Sequence, residues 1–172
     1  MTGAAKSGTR GRKMSSSTRG LDEIDRKILD ILQNNSEMPV SEIADAVNLS
    51  ATPCWRRIRR LEEIGVIKRR VVLVNRKMIN VSMTIFIGVK APHHDMQWLK
   101  AFRDLIDEIP EIVEAYRLTG STDYIVKVVV PDIETYDAVY KKMISKMNFS
   151  EVNSSISMEE IKFTTSMPTH YA

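Results

Sequence analysis

The chain has 172 residues and 25 Lys plus Arg against 22 Asp plus Glu, a formal net charge of +3. Its 43% hydrophobic and 27% charged residues, with 7 Gly and 6 Pro, exclude a collagen-like chain or one disordered over most of its length, and the length suits one or two domains. The single cysteine, Cys54, excludes an internal disulfide and a Cys-rich zinc site and fits a reducing cytoplasm; no apolar run approaches the roughly 20 residues of a membrane span.

Charge is unevenly placed. Residues 1–20 carry five basic side chains and no acidic one, residues 21–80 sum to +2, and residues 81–172 sum to −4. A polyanionic partner is therefore expected for the first part of the chain only. Residues 1–20 are rich in Ser, Gly, Thr and Arg without an apolar stretch, which predicts a disordered basic tail and not a secretory signal.

Order is expected from Leu21. Asp22 is a good N-cap with Asp25 three residues on, and Ile24, Ile28 and Leu32 recur every four residues, so residues 23–33 read as an amphipathic helix ended by Asn34-Asn35. Pro39 suits the first turn of a second, short helix bearing Ile43, Ala44 and Val47. Asn48 tolerates the left-handed conformation of a tight turn and Ser50 can cap a third helix from Ala51 to Ile64, stopped by Gly65. This is helix, turn, helix. After Gly65 the period becomes strand-like in Val66-Ile67 and Val71–Val74, which fits a short β-hairpin or wing.

Past residue 80 the expected order is a strand over Met83–Val89, a helix over Asp95–Ile109, strands over Ile112–Leu118 and Tyr124–Val130, a helix capped by Asp132, and a last strand over Val152–Thr164. This β-α-β-β-α-β order is ferredoxin-like. The predicted class is α+β, with a winged helix-turn-helix domain over residues 21–80 and a ferredoxin-like βαββαβ domain over residues 81–172.

The first chemistry lies between Ala51 and Lys77, which hold nine basic and two acidic residues, whereas the preceding thirty residues sum to −5. At about 100° per residue, Cys54, Ile58 and Leu61 share one stripe of the third helix, Thr52, Arg56 and Arg59 lie opposite, and Arg57 and Arg60 flank them. Such a helix can lie in a DNA major groove, where Arg donates two parallel hydrogen bonds to guanine and Thr serves either base edge. Ser50 and the free N–H groups of the first turn suit a phosphate, and Lys68, Arg69 and Arg70, with Arg76 and Lys77, would hold the backbone. A solvated cationic surface is the bland alternative, but it leaves the turn, the wing and the tail as coincidences. Trp55, at the boundary of the two faces, and Cys54, on the core face, read as packing residues.

The residues Leu21-Asp22-x-x-Asp25-x-x-Ile28-Leu29 and Asn48-Leu49-Ser50-x-Thr52-Pro53-Cys54-x-x-Arg57-Ile58-x-Arg60-Leu61-Glu62-x-x-Gly65-x-Ile67 resemble the DNA-binding domain of the Lrp/AsnC (leucine-responsive/asparagine-responsive) regulators. Gly120-x-x-Asp123-Tyr124 between two strands, and Met158-Glu159-Glu160, are similar to that family's amino-acid-sensing domain. His93-His94-x-x-x-Trp98 and Thr52-Pro53-Cys54-Trp55 look most like the branch that includes the cysteine-detoxification regulator of enteric bacteria. The resemblance implies a transcriptional regulator of double-stranded DNA, a homo-oligomer (dimer or octamer), and a small amino-acid effector bound between subunits, with cysteine one candidate. Ser121-Thr122 after the loop glycine departs from the acidic or bulkier pattern of many members.

The second chemistry is that of the loop before Tyr124. An amino acid presents a carboxylate and an ammonium, so its receptor needs backbone donors together with a carboxylate. Gly120, Ser121, Thr122 and Asp123 supply both, Tyr124 adjoins them, and Ile156, Ser157 and Met158 would line the side-chain pocket if the sheet closes as the family's does. On the residues alone, a hairpin turn in which Asp123 only caps backbone fits equally well. No cofactor or metal is expected: the pair His93-His94 lacks Cys or carboxylate partners at metal spacing beyond Asp95. An enzyme is not expected, since a Gly-rich phosphate loop and a nucleophile elbow are both missing. A ligand-independent architectural DNA-binding protein would share the cationic helix.

Overall fold

In the computed structural model, which describes residues 20–172, the chain divides into two compact units. One holds the described residues up to Val72 together with Thr164–Ala172, and the other holds Leu73–Phe163. The expected division at residues 80 and 81 therefore shifts, and the C-terminal segment joins the first unit. The basic tail expected over residues 1–20 lies outside the described residues apart from Gly20.

The first unit contains α1 (Glu23–Asn34), α2 (Val40–Ala46) and α3 (Ala51–Glu63). A reciprocal cap opens α1: the Asp25 N–H donates to Asp22 Oδ1 at 2.8 Å and the Asp22 N–H to Asp25 Oδ2 at 3.3 Å. Between α2 and α3, Asn48 takes φ +56°, which lets the Leu49 N–H reach the Ala44 carbonyl at 2.8 Å. Gly65, at φ +78°, turns the chain so that the Ile67 N–H bonds the Leu61 carbonyl at 3.0 Å. Ile28, Ile43, Ala44, Cys54, Ile58 and Leu61 form the core. Because the apolar stripe of α3 is consumed there, its polar side faces water.

Two expectations change. Residues 66–75 form an arm without regular secondary structure, and among the described residues no strand pairs with it, so the wing is not a hydrogen-bonded hairpin. Only Val66 and Ile67 precede the three basic residues, too few to build a ladder against Val71–Val74. In addition, the C-terminal segment is tied to α1: the Gln33 side-chain amide exchanges hydrogen bonds with the Met167 backbone at 3.1 and 2.6 Å, and Thr169 donates to Asp30 at 2.8 Å.

The contact that fixes α3 against α1 is ionic. Asp25 is 1% exposed, and its two carboxylate oxygens receive Arg57 Nη1 at 2.8 Å and Arg60 Nη1 at 3.2 Å. Arg57 also reaches Asp22 Oδ2 at 2.7 Å. Hydrogen bonds to Asp25 and Asp22 raise the Arg57 guanidinium further above its usual range. The Asp22 carboxyl is lowered from its ordinary 3.8 chiefly by the Asp25 N–H, with Arg57 adding to it.

The second unit runs β1 (Met83–Lys90), α4 (Met96–Asp107), β2 (Ile112–Arg117), β3 (Tyr124–Val130), α5 (Ile133–Lys146) and β4 (Glu151–Ile156). The sheet order is β2-β3-β1-β4 with every pair antiparallel, the ferredoxin-like arrangement expected. Asp95 caps α4 through the Trp98 N–H and Asp132 caps α5 through the Thr135 N–H. Ile85, Ile87, Val89, Val126, Val128 and Val130 point into a core shared with Phe102, Leu105, Val139 and Met143. The last strand stops at Ile156 instead of Thr164, because β1 begins at Met83 and the Ser157 N–H already takes the Thr84 carbonyl at 2.8 Å. Beyond that point the chain has no strand left to pair with.

Arg57→Ala leaves the buried Asp25 with one cation and should lower the unit's stability by about 3 kcal/mol. Asp25→Ala should cost less, about 2 kcal/mol, because the half-exposed arginines can turn to water; urea unfolding gives the order. Since the folded-state pKa of Asp22 is depressed, its contribution is complete above its ordinary 3.8 and is lost as pH falls through the lower folded value. Urea midpoints of wild type and Asp22→Asn should therefore differ by a constant amount above about pH 5 and draw together as pH falls below the ordinary 3.8.

Candidate nucleic-acid interface and effector site

Helix α3 shows solvent a band of polar and aromatic groups. Thr52, Trp55, Arg56, Arg59 and Arg60 are exposed, while Arg57 is only partly so. Arg56 has no hydrogen-bond or ion-pair partner among the described residues. Arg59 Nη1 meets Glu62 Oε2 at 3.1 Å, and its guanidinium lies 6.0 Å from the Trp55 ring centroid. Ser50 stands at the N-cap position of α3, exposed, with no side-chain cap bond. Its hydroxyl and the first-turn N–H groups thus stay open to an anion.

Several of the expected contact residues are engaged by other groups of the chain. Arg57 and Arg60 are spent on Asp25, and Arg70 donates to the Ser36 carbonyl at 2.8 Å and meets Glu62 at 3.4 Å. Arg76 bonds Thr84 Oγ1 at 2.6 Å and Glu160 at 3.2 Å within the second unit. Lys68 and Arg69 remain exposed on the arm. Trp55, expected to pack, is instead 52% exposed; its place on the boundary of the helix is legible from sequence, but which flank has a neighbour is not. Cys54 is fully buried, and burial pushes its thiol up, away from reactivity.

In the second unit Gly120 takes φ +119° in the loop between β2 and β3. Asp123 Oδ2 accepts the Ala91 N–H at 2.9 Å, and Asp123 Oδ1 lies 4.0 Å from His94 Nε2. Asp123 therefore does cap backbone, with its second oxygen toward His94. Thr122 sits on Gly88: a Cβ there would come within 3.1 Å of the Thr122 methyl. That mid-strand glycine is absent from the residues expected at the site, although a glycine inside a strand often marks close approach.

Four members of the expected effector set are placed differently. Tyr124 is 7% exposed, its ring 5.0 Å from Phe102 and 5.5 Å from Trp98, so it is mostly core and meets solvent at the cleft beside α4. Ile156 pairs with Ile85 of β1, whereas the loop abuts Gly88, whose β4 partner is Asn153. Three residues of strand, about 10 Å, separate the two places, so Ile156, Ser157 and Met158 do not meet Gly120–Asp123 within one chain. A cleft of about 190 Å³ opens instead beside α4 and β2, lined by Leu99, Phe102, Arg103, Ile106, Tyr116 and Arg117 among others.

Among the described residues no helix is long and apolar enough to cross a membrane, and no group of three or more potential ligands is placed to hold a metal.

Comparison with known proteins agrees with this division. Residues 21–68 match a winged helix-turn-helix DNA-binding family, and residues 84–167 match the Lrp/AsnC ligand binding domain. The HTH-type transcriptional regulator Zrp of Zymomonas mobilis is 45% identical over 151 residues, 88% of this chain and 99% of its own. An AsnC family transcriptional regulator from Agrobacterium tumefaciens is 48% identical in a crystal structure with TM-score 0.85, covering 88% of this chain and 99% of that one. A transcriptional regulator from Neisseria meningitidis, solved in complex with L-Met, is 30% identical with TM-score 0.84 over the same shares. With both units matched in order and relatives aligned over nearly their whole length, the chain belongs to the Lrp/AsnC family of DNA-binding transcriptional regulators.

Proposed function

We propose that this regulator reads its operator with the exposed face of α3, using Thr52, Arg56 and Arg59 on base edges, Ser50 and the α3 N-terminus on a phosphate, and Lys68 and Arg69 on the backbone. The observation that carries this reading is the split among the arginines of α3: Arg56 is unengaged among the described residues, and Arg57 and Arg60 are bound to a buried carboxylate. Arg57, Arg60 and Arg70 then orient the helix and add only diffuse positive charge.

The second unit is proposed to bind a small amino acid, cysteine among the candidates, with the Asp123 oxygen not engaged by the Ala91 N–H on its ammonium and the Gly120–Thr122 backbone on its carboxylate. The Neisseria relative solved with L-Met supports the ligand class. Because Gly120–Asp123 and Ile156–Met158 sit at separated positions along β1, a pocket using both needs a second copy of the chain. The proposed working form is a homodimer or octamer, cytoplasmic, with two α3 helices one helical repeat of DNA apart on a roughly palindromic site. The effector then acts by favouring one assembly over another, within the limit of its differential affinity for them.

In electrophoretic mobility shifts on a duplex selected from a randomised pool, Arg56→Ala should lose about 1–3 kcal/mol of affinity and relax base preference, with no fall in melting temperature. Unchanged specificity would mean that another face reads the bases. For the effector, a thermal-shift screen of the twenty amino acids should show a stabilising ligand. Asp123→Asn, which keeps an acceptor for the Ala91 N–H, should preserve the fold and DNA binding without ligand yet abolish that shift. No shift with any amino acid would remove the sensor assignment.

A further inference from the structure

Arg59 is held from two sides. The Trp55 ring lies one turn before it, with the guanidinium 6.0 Å from the ring centroid, and Glu62 holds its Nη1 at 3.1 Å from the following turn. Glu62 is itself fixed: its other oxygen takes Arg70 at 3.4 Å, and Arg70 is anchored on the Ser36 carbonyl at 2.8 Å. A path of contacts thus runs from the α1–α2 loop through the arm to the flank of α3 that Trp55 occupies. Nothing in the core requires an aromatic there, since the buried positions of α3 are Cys54, Ile58 and Leu61.

A free arginine side chain loses rotamer freedom when it docks on a base, which reduces the affinity that the contact returns. An arginine already held by a carboxylate and flanked by a ring has less to lose. Glu62 engages only Nη1, so Nη2 and Nε remain for the parallel pair of hydrogen bonds that distinguishes guanine. Arg56, with no such support among the described residues, is the contrast within the same helix.

The geometry points to Trp55 and Glu62 as specificity-determining positioning residues, which hold Arg59 in the plane that reads a guanine. This rests on the reading that α3 enters the major groove. It predicts that Trp55 acts through Arg59 and not as a separate contact.

The test uses the full-length protein, a duplex selected from a randomised pool and a scrambled duplex of the same length. Trp55→Ala should cut the ratio of selected to scrambled affinity by about fivefold, with the affinity for scrambled DNA and the salt dependence of binding nearly unchanged. Trp55→Phe, which retains an aromatic face, should recover most of the ratio, and Glu62→Gln should lower it in the same direction. In an Arg59→Ala background, Trp55→Ala should have no further effect. Equal loss on both duplexes, failure of Phe to rescue where Leu does, or an undiminished effect without Arg59 would each overturn the inference. If the wild type enriches no sequence at all, the proposed base reading by α3 fails, an outcome distinct from failure of the Trp55 assignment.

Discussion

A carboxylate removed from water must meet cations, and in this fold it meets two from one helix. Asp25 lies on the inner side of α1, 1% exposed, and the groups that neutralise it, Arg57 and Arg60, both come from α3. Leaving that charge buried and unpaired would cost far more than an ion pair on the surface could return. Together with the apolar stripe of Cys54, Ile58 and Leu61, these ion pairs fix the rotation of α3 about its axis. Once that rotation is set, Arg56 and Arg59 face outward together, and the cationic helix has separate structural and reading sides.

The same division runs through the charge of the whole chain. The net +3 conceals a strongly basic stretch from Ala51 to Lys77 and a −4 balance over residues 81–172. The acidic half carries the antiparallel sheet whose loop at Gly120–Asp123 approaches the glycine of β1. That half does not suit contact with phosphates, and its domain matches the family's ligand-binding unit. A mid-strand glycine that admits Thr122, and an aspartate with one oxygen on backbone and one beside His94, together give the loop a defined shape.

Local features are legible in the sequence and long-range ones are not. The caps at Asp22, Asp95 and Asp132, the left-handed Asn48 and the order of all nine main elements follow from periodicity and short-range chemistry. Asp25 reads as half of a capping box, but its second role needs α3, some 35 residues away in the chain. Helical angles locate Arg57 and Arg60 relative to their own core, not relative to a neighbour on one flank. Trp55 departs from its expected packing role for the converse reason, since its flank is open. Tyr124 follows Asp123 directly, yet alternation along β3 turns its side chain to the core. The last strand ends short of the expected Thr164 because its antiparallel partner β1 begins at Met83, although its later residues also favour strands.

The central claim is that arginines of α3 read guanine in the major groove. Methylation interference on the selected duplex tests it directly, because a methyl on guanine N7 blocks the acceptor an arginine needs, whereas one on adenine N3 lies in the minor groove. The account predicts interference from guanine N7 in each half-site, with centres about 10 base pairs or a multiple apart, and loss of that interference at one guanine per half-site in Arg56→Ala. Interference confined to adenine N3, or a guanine pattern that Arg56→Ala and Arg59→Ala both leave intact, would contradict it.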